Sequence, residues 1–360
     1  MTAPKHASPH LPVREDWLAQ VQEEVLDPAL PIVDPHHHLW DRPGARYLLD
    51  ELLRDTASGH DVRATVYVQA RAMYRAEGPE ALRSLGETEF ANGVAAQSAS
   101  GLYGPIRACA GIIGMVDLML GDAVAPLLEQ HLQAGGGRFR GVRNQTAWHE
   151  SAEIISNPVP PRQGLLSEPA FPRGAGRLRE HDLSLDIWAY HTQLDEVIAL
   201  ARALPDLSIV LDHAGGPLGT GPYADRRDAV FAAWSQQMRL LAGCPNVSVK
   251  LGGLGMTVNG FGFEREAVPP GSEHLARAWR PYVEFCIEAF GAQRCMFESN
   301  FPVDKGSCSY AVLWNAFKRL AAGASAEEKV ALFSGTAIRV YRLPSSIAAR
   351  GQHFKETPRP

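Results

Sequence analysis

The chain has 360 residues, 45% hydrophobic and 21% charged, with a formal net charge of −5. That apolar content excludes a disordered chain, and 33 glycines without a period of three exclude a collagen-like one. The 35 basic residues are scattered along the sequence rather than clustered, which argues against a nucleic-acid partner.

Five cysteines (Cys109, Cys244, Cys286, Cys295, Cys308) are an odd, widely spaced set with no CxxC pair. They argue against a disulfide framework and against a thiolate zinc site, and they fit a reducing compartment. The first residues carry no apolar core of a secretory signal. The longest apolar stretch, 109–119, contains Asp117 and is too short to span a bilayer. The expectation is a soluble cytoplasmic protein with no membrane partner.

Residues 1–30 are polar and proline-containing, with a short amphipathic piece at 17–26, and are expected to form an arm laid on the surface. Residues 31–343 are expected to form one domain, and 344–360 a loose polar tail. Within the domain, β-rich runs occur at 32–34, 65–70, 108–116, 139–144, 184–191, 208–213, 247–251 and 294–299. Most are continuous apolar runs, as suits parallel strands buried on both faces. Helical patterns at 79–84, 124–133, 193–203, 227–241, 273–290, 310–321 and 326–341 alternate with them, the last with Ser325 as its N-cap. This βα rhythm predicts an α/β fold, a (β/α)8 TIM barrel, over a doubly wound sheet. No GxGxxG follows the first strand, which lowers a dinucleotide-binding reading. Two long segments rich in Gly and Pro, 150–179 and 252–272, follow strands and are expected to be βα loops at the reactive rim.

The strongest local signal is Asp34-Pro35-His36-His37-His38-Leu39-Trp40 at the end of the first strand. Side chains two apart on a strand share a face, so His36 and His38 point together and His37 points away. Two adjacent imidazoles opening into a barrel are a natural chelate for a divalent metal. Asp34 is suited to receive an imidazole N–H, and also shares their face. His191 and His213 close two further strands, and in a barrel those ends converge. Near the end of the eighth strand, Glu298, Ser299 and Asn300 interrupt an apolar run, where burial is costly unless they are paired or ligated.

DPHHHLW, His191, LDHAGG, VKLGG and FESNFP together resemble the amidohydrolase superfamily. The branch is the amidohydrolase 2 group of TIM-barrel metal-dependent hydrolases, which includes sugar-acid and pyrone dicarboxylate lactonases, and the resemblance spans residues 30–343. It implies that His36, His38, His191 and His213 are metal-site positions. The family's eighth strand usually ends in an aspartate that binds metal and takes the proton of the attacking water; here Asn300 stands in that place. An amide oxygen still ligates, but it is no useful base. The carboxylates expected to compensate are Glu298 or Glu89, with Glu87 and Asp304 as neighbours. Glu89 is expected to enter the metal shell.

Arg143, in FRGVRN, is expected to bind a substrate carboxylate, and Arg140 is a second candidate. Lys250 binds substrate or pairs with Glu298, while Trp40, Tyr190 and Trp148 wall the pocket. Three readings follow. The first is hydrolysis of a small cyclic ester or amide, such as the lactone of an organic acid, with zinc as the expected ion. The second, by analogy within the superfamily, is an O2-dependent two-metal monooxygenase using iron or manganese. The third is an inactive partner subunit. The expected partner is a small molecule, with a carboxylate-bearing one among the candidates, and the chain is expected to self-associate or to pair with a paralogue.

Overall fold

A computed structural model describes residues 10–347. Its strands are β1 (Pro31–His37), β2 (Trp40–Arg42), β3 (Ala45–Tyr47), β4 (Asp61–Val68), β5 (Arg107–Gly114), β6 (Phe139–Gln145), β7 (Ser184–Trp188), β8 (Ile209–Leu211), β9 (Val247–Leu251) and β10 (Cys295–Phe297). Eight pair in parallel in the order β1-β4-β5-β6-β7-β8-β9-β10, while β2 and β3 form a small antiparallel hairpin at the rim. The seam between β10 and β1 is stitched at the C-terminal rim. There the Asn300 N–H donates to the His36 carbonyl at 2.9 Å, and the His38 N–H to the Phe301 carbonyl at 2.7 Å. The result is a nearly closed (β/α)8 barrel.

β7, β8 and β9 are buried at every position, as continuous apolar strands between a barrel interior and a helical jacket should be. All eight expected runs fall on barrel strands. The helices match less evenly. The helix following β4 is Leu85–Ala99, whereas the 79–84 pattern forms only a short turn, Glu80–Leu82. Gly86, Asn92 and Gly93 hide this helix from a propensity reading. It forms because its small residues pack closely on β5 and on the helix Ala125–Ala134. Ser325 does cap its helix, accepting from the Glu328 N–H at 3.2 Å while Glu328 accepts from the Ser325 N–H at 2.8 Å.

The barrel interior away from the site is filled by Val33, Ala64, Val66, Val68, Ile113, Val210 and Met296, together with Ala337, Val340 and Tyr341 of the last helical segment. Trp17 and Leu18 of the N-terminal arm are buried. Glu23 accepts from the Ser272 N–H at 2.6 Å and from Asn315 Nδ2 at 3.1 Å, which ties the arm to two helices. Of the tail expected from 344, residues 348–360 lie outside the described residues. No helix among the described residues is long and apolar enough to cross a membrane.

Candidate active site

β1 delivers His36 and His38 to the rim on one face, as strand alternation requires. His38 Nδ1 is 2.8 Å from the Val68 carbonyl, which can only accept, so this nitrogen carries the proton. His36 Nδ1 is 2.7 Å from Glu298 Oε2, and its Nε2 lies 3.2 Å from Arg143 Nη1, which can only donate, so Nε2 is the acceptor. Burial first, and then neighbouring cations, hold both imidazoles neutral. Both Nε2 atoms are therefore bare lone pairs, and they face one another at 3.3 Å. Two nitrogens sharing a tetrahedral ion at about 2.0–2.1 Å stand about 3.4 Å apart. This donor pair, each ring fixed through its far nitrogen, fits a divalent cation. Arg143 Nη1, 3.2 Å from His36 Nε2, competes with an ion for that lone pair.

Glu298 binds a second imidazole. Its Oε1 lies 2.7 Å from His213 Nδ1 and accepts from the His213 backbone N–H at 3.1 Å. Burial alone would raise the Glu298 carboxyl, but His213 and His36 outweigh it and hold it far below the usual range. One ligand atom each from His36, His213 and Glu298 lie within 4.8 Å of one another. His213, Ala214 and Asn300 all have positive φ, strain of the kind that collects at functional sites. Gly253 makes room for His213: at φ +66° a Cβ there would stand 2.4 Å from His213 Nδ1. Gly253→Ala is therefore expected to push His213 off Glu298 and to add about 1–2 kcal/mol of backbone strain. Activity should fall about a hundredfold with the chain still folded, and full activity in the variant would contradict this placement.

Beneath the histidines lies a buried layer of charge. Lys250 Nζ contacts Asp186 at 2.7 Å, Asp212 at 3.0 Å and His36 Nδ1 at 3.2 Å. Burial would lower the Lys250 pKa, yet Asp186 and Asp212 outweigh it and keep the ammonium charged. Arg143 bridges Asp212 at 3.3 Å and the Gln69 carbonyl at 2.5 Å. Tyr341 donates to Asp186 at 2.6 Å from the end of the last helix.

Above this layer a cavity of about 410 Å³ opens at the rim. Its lining includes His38, Trp40, Arg143, His213 and Asn300, so the structure brings these expected residues together. Glu298 and His36 stand directly behind them. Asn300 Nδ2 donates to Asp304 at 2.9 Å, leaving its amide oxygen as the end available to the cavity. Burial pushes the Asp304 carboxyl up to about 7; this group orients Asn300 and does not line the cavity.

Other expected residues are placed elsewhere. Glu89 points outward to an ion pair with Arg75, because Arg75 and Glu89 both lie at the exposed edge of their segment. Glu87 is buried, but its Oε1 is spent on Tyr67 at 2.8 Å and on the Ala70 and Ala72 N–H groups. Neither supplies a second carboxylate to the histidines. His191 sits three residues beyond β7, where Nδ1 accepts from the Leu218 N–H at 3.3 Å and the ring stands edge-on to Tyr223. Lys250 is walled off from the cavity and pairs with aspartates rather than with Glu298. Tyr190 hydrogen-bonds Ser156 at 2.6 Å, supporting the loop behind the mouth instead of lining it. Arg140 and Trp148 also miss the lining, and Asp34 receives Ser299 N–H and the Tyr310 hydroxyl rather than an imidazole.

The sequence reading missed Asp186, Asp212, Trp188, Arg42, Arg71 and His10. The first two carried a signal, a charged residue within an otherwise apolar buried strand run. Trp188 lines the cavity and sets its edge on His213 at 4.7 Å. His10 lines it too; burial, then Arg42 and Arg143, lower its pKa to about 4, so the ring is neutral near pH 7.

A family model described as Amidohydrolase matches residues 33–343. The uncharacterized protein y4mH of Sinorhizobium fredii is 33% identical, over 87% of this chain and 98% of that protein. An L-fucono-1,5-lactonase of Burkholderia multivorans is 29% identical, over 88% of this chain and 98% of its own length. A solved Burkholderia multivorans amidohydrolase with bound zinc superposes with a TM-score of 0.67 at 28% identity, covering 87% of this chain and 99% of that one. With the match running from the first barrel strand to the last helix, and paired histidines at the rim where it begins, the chain belongs to the amidohydrolase family and is a hydrolytic enzyme.

Proposed function

We propose that the protein hydrolyses the lactone of a small organic acid, that His36 and His38 hold a divalent ion, zinc by preference, and that His213 with Glu298 moves the proton. The observation that carries this reading is the Glu298–His213 contact. A buried carboxylate holds Nδ1–H of a cavity-lining imidazole at 2.7 Å, so that Nε2 is a bare base. This dyad supplies the proton acceptor that Asn300 cannot. The ion, when bound, supplies Lewis-acid polarisation.

His213 Nε2 takes the proton of the attacking water as its oxygen adds to the lactone carbonyl. The ring C–O bond then breaks, and the same imidazolium returns the proton to the departing alkoxide. Glu298 balances the transient positive charge, as a buried carboxylate does in a catalytic dyad. The relative named as a lactonase and the zinc-bound structural neighbour support this chemistry.

The cavity lining also supports an acidic substrate. It holds Arg42, Arg71 and Arg143 and, among the described residues, no carboxylate. Arg71 is exposed and makes no hydrogen bond or ion pair among the described residues. A guanidinium left over at a mouth suits a substrate carboxylate. The test compares the γ-lactone of α-hydroxyglutarate with γ-valerolactone, which carries a methyl in place of the carboxylate. The acid lactone should be the better substrate. Arg71→Ala should raise KM for it about tenfold and leave the neutral lactone unchanged. Equal turnover of the two lactones by the unaltered enzyme would remove the carboxylate from the proposal.

A further inference from the structure

The family match begins at residue 33, yet one wall of the cavity is built by residue 10. The B. multivorans lactonase is matched over 98% of its length while 12% of this chain stays outside the match. The N-terminal arm precedes the family match, and its His10 lines the site. His10 lies flat on Trp40, with ring centroids 5.5 Å apart and planes 11° from parallel. Trp40 in turn lies nearly parallel to His38, at 5.8 Å and 16°, so one stack runs from the arm to the proposed metal ligand.

The arm is docked by specific fits to the loops that form the mouth. Leu11 sits against Gly306, where a Cβ would come within 2.4 Å of Leu11 Cβ; a side chain there would lift the arm away. Arg14 donates to the Glu264 carbonyl at 2.7 Å, the Trp17 indole N–H donates to the Glu266 carbonyl at 3.2 Å, and Glu15 pairs with Lys305 at 3.0 Å. Those partners belong to the segments after β9 and β10. His10 also borders Ser156 and Met256, which come from the two long loops. His10 and Leu11 are therefore held among the two long loops and the segment after β10.

We propose that the arm forms a wall of the substrate site and that His10 is a specificity-determining residue for the acid it admits. This rests on reading the cavity as the lactone site. Separated from His38 by the Trp40 ring, the imidazole borders the part of the cavity remote from the proposed metal ligands. There it meets a hydroxyl or carboxylate substituent of the substrate. Such contacts act on binding more than on the chemical step, because they are made equally in ground and transition states.

The test uses the full chain carrying His10→Ala, His10→Phe or Leu11→Asp. Each is assayed on the γ-lactone of α-hydroxyglutarate, on γ-valerolactone and on L-fucono-1,5-lactone, with melting temperature and metal content as controls. His10→Ala and Leu11→Asp should raise KM about tenfold for the lactone best used by the unaltered enzyme, with kcat held within about twofold. His10→Phe keeps the stack and loses the nitrogens, so it should share the KM rise only for lactones bearing a polar substituent. Melting temperature and metal content should stay level for the two His10 variants. Unchanged KM in both His10→Ala and Leu11→Asp overturns the proposal. If the unaltered enzyme turns over none of the lactones, the hydrolase reading falls and the arm is judged on calorimetric binding of α-hydroxyglutarate. A tenfold weaker affinity in His10→Ala then supports the arm's role, and equal affinity or no binding by the unaltered chain overturns it.

Discussion

Protein carrying both His36→Ala and His38→Ala is expected to lose its bound divalent metal and more than about a thousandfold of its hydrolytic rate while remaining folded. The two Nε2 atoms face each other at 3.3 Å, a spacing that a shared cation fits. Removing both rings removes the chelate. The surrounding Lys250, Asp186, Asp212 and Arg143 network retains its own pairings, so the barrel has reason to survive. Elemental analysis of protein purified without chelators decides the matter, beside a far-ultraviolet circular dichroism spectrum. Undiminished metal in the double variant would show that these two imidazoles are not the ligands.

The second large effect concerns the dyad. His213→Gln keeps a polar side chain of similar reach but no useful base, and kcat should drop about 10²–10⁴-fold with KM little altered. Glu298→Gln preserves shape and removes the charge that holds both rings through their Nδ1 atoms. It should lower kcat to a similar degree. The double variant should be little worse than either single one, as expected for groups that act as a unit. Breaking a buried ion pair costs about 3–5 kcal/mol, so a melting curve accompanies the kinetics. Fully additive losses would mean that the two residues serve separate steps.

The barrel was legible because its strands are short, apolar and regularly spaced, and because strand ends in this architecture meet at one rim. The same regularity made His36, His38 and His213 readable as partners. Asn300 was visible as a polar interruption of β10's continuation, although its tie to Asp304 was not. What failed were positions set by tertiary geometry. Glu89 and Glu87 lie two apart on a helix, so they point in different directions. Their shared sequence neighbourhood could not show that one turns outward to Arg75 and the other inward to Tyr67. His191 lies beyond its strand by three residues, enough for the chain to turn it toward Tyr223. Lys250 appeared at a strand end, but whether it faced the cavity or the charged layer depended on Asp186 and Asp212 on neighbouring strands. His10 had no readable signal, since nothing local to the arm says where it lands.

The tyrosine that caps the helix Thr336–Val340 has a wider bearing. Tyr341 enters the barrel with Ala337 and Val340 and donates its hydroxyl to Asp186, the carboxylate beside Lys250. A ribosome must therefore release the chain through residue 341 before the ionic base under the histidines is complete. Growing or prematurely ended chains carry the HxH sequence without a competent centre, and a protein shortened to end before residue 341 should be inert even where its sheet still forms.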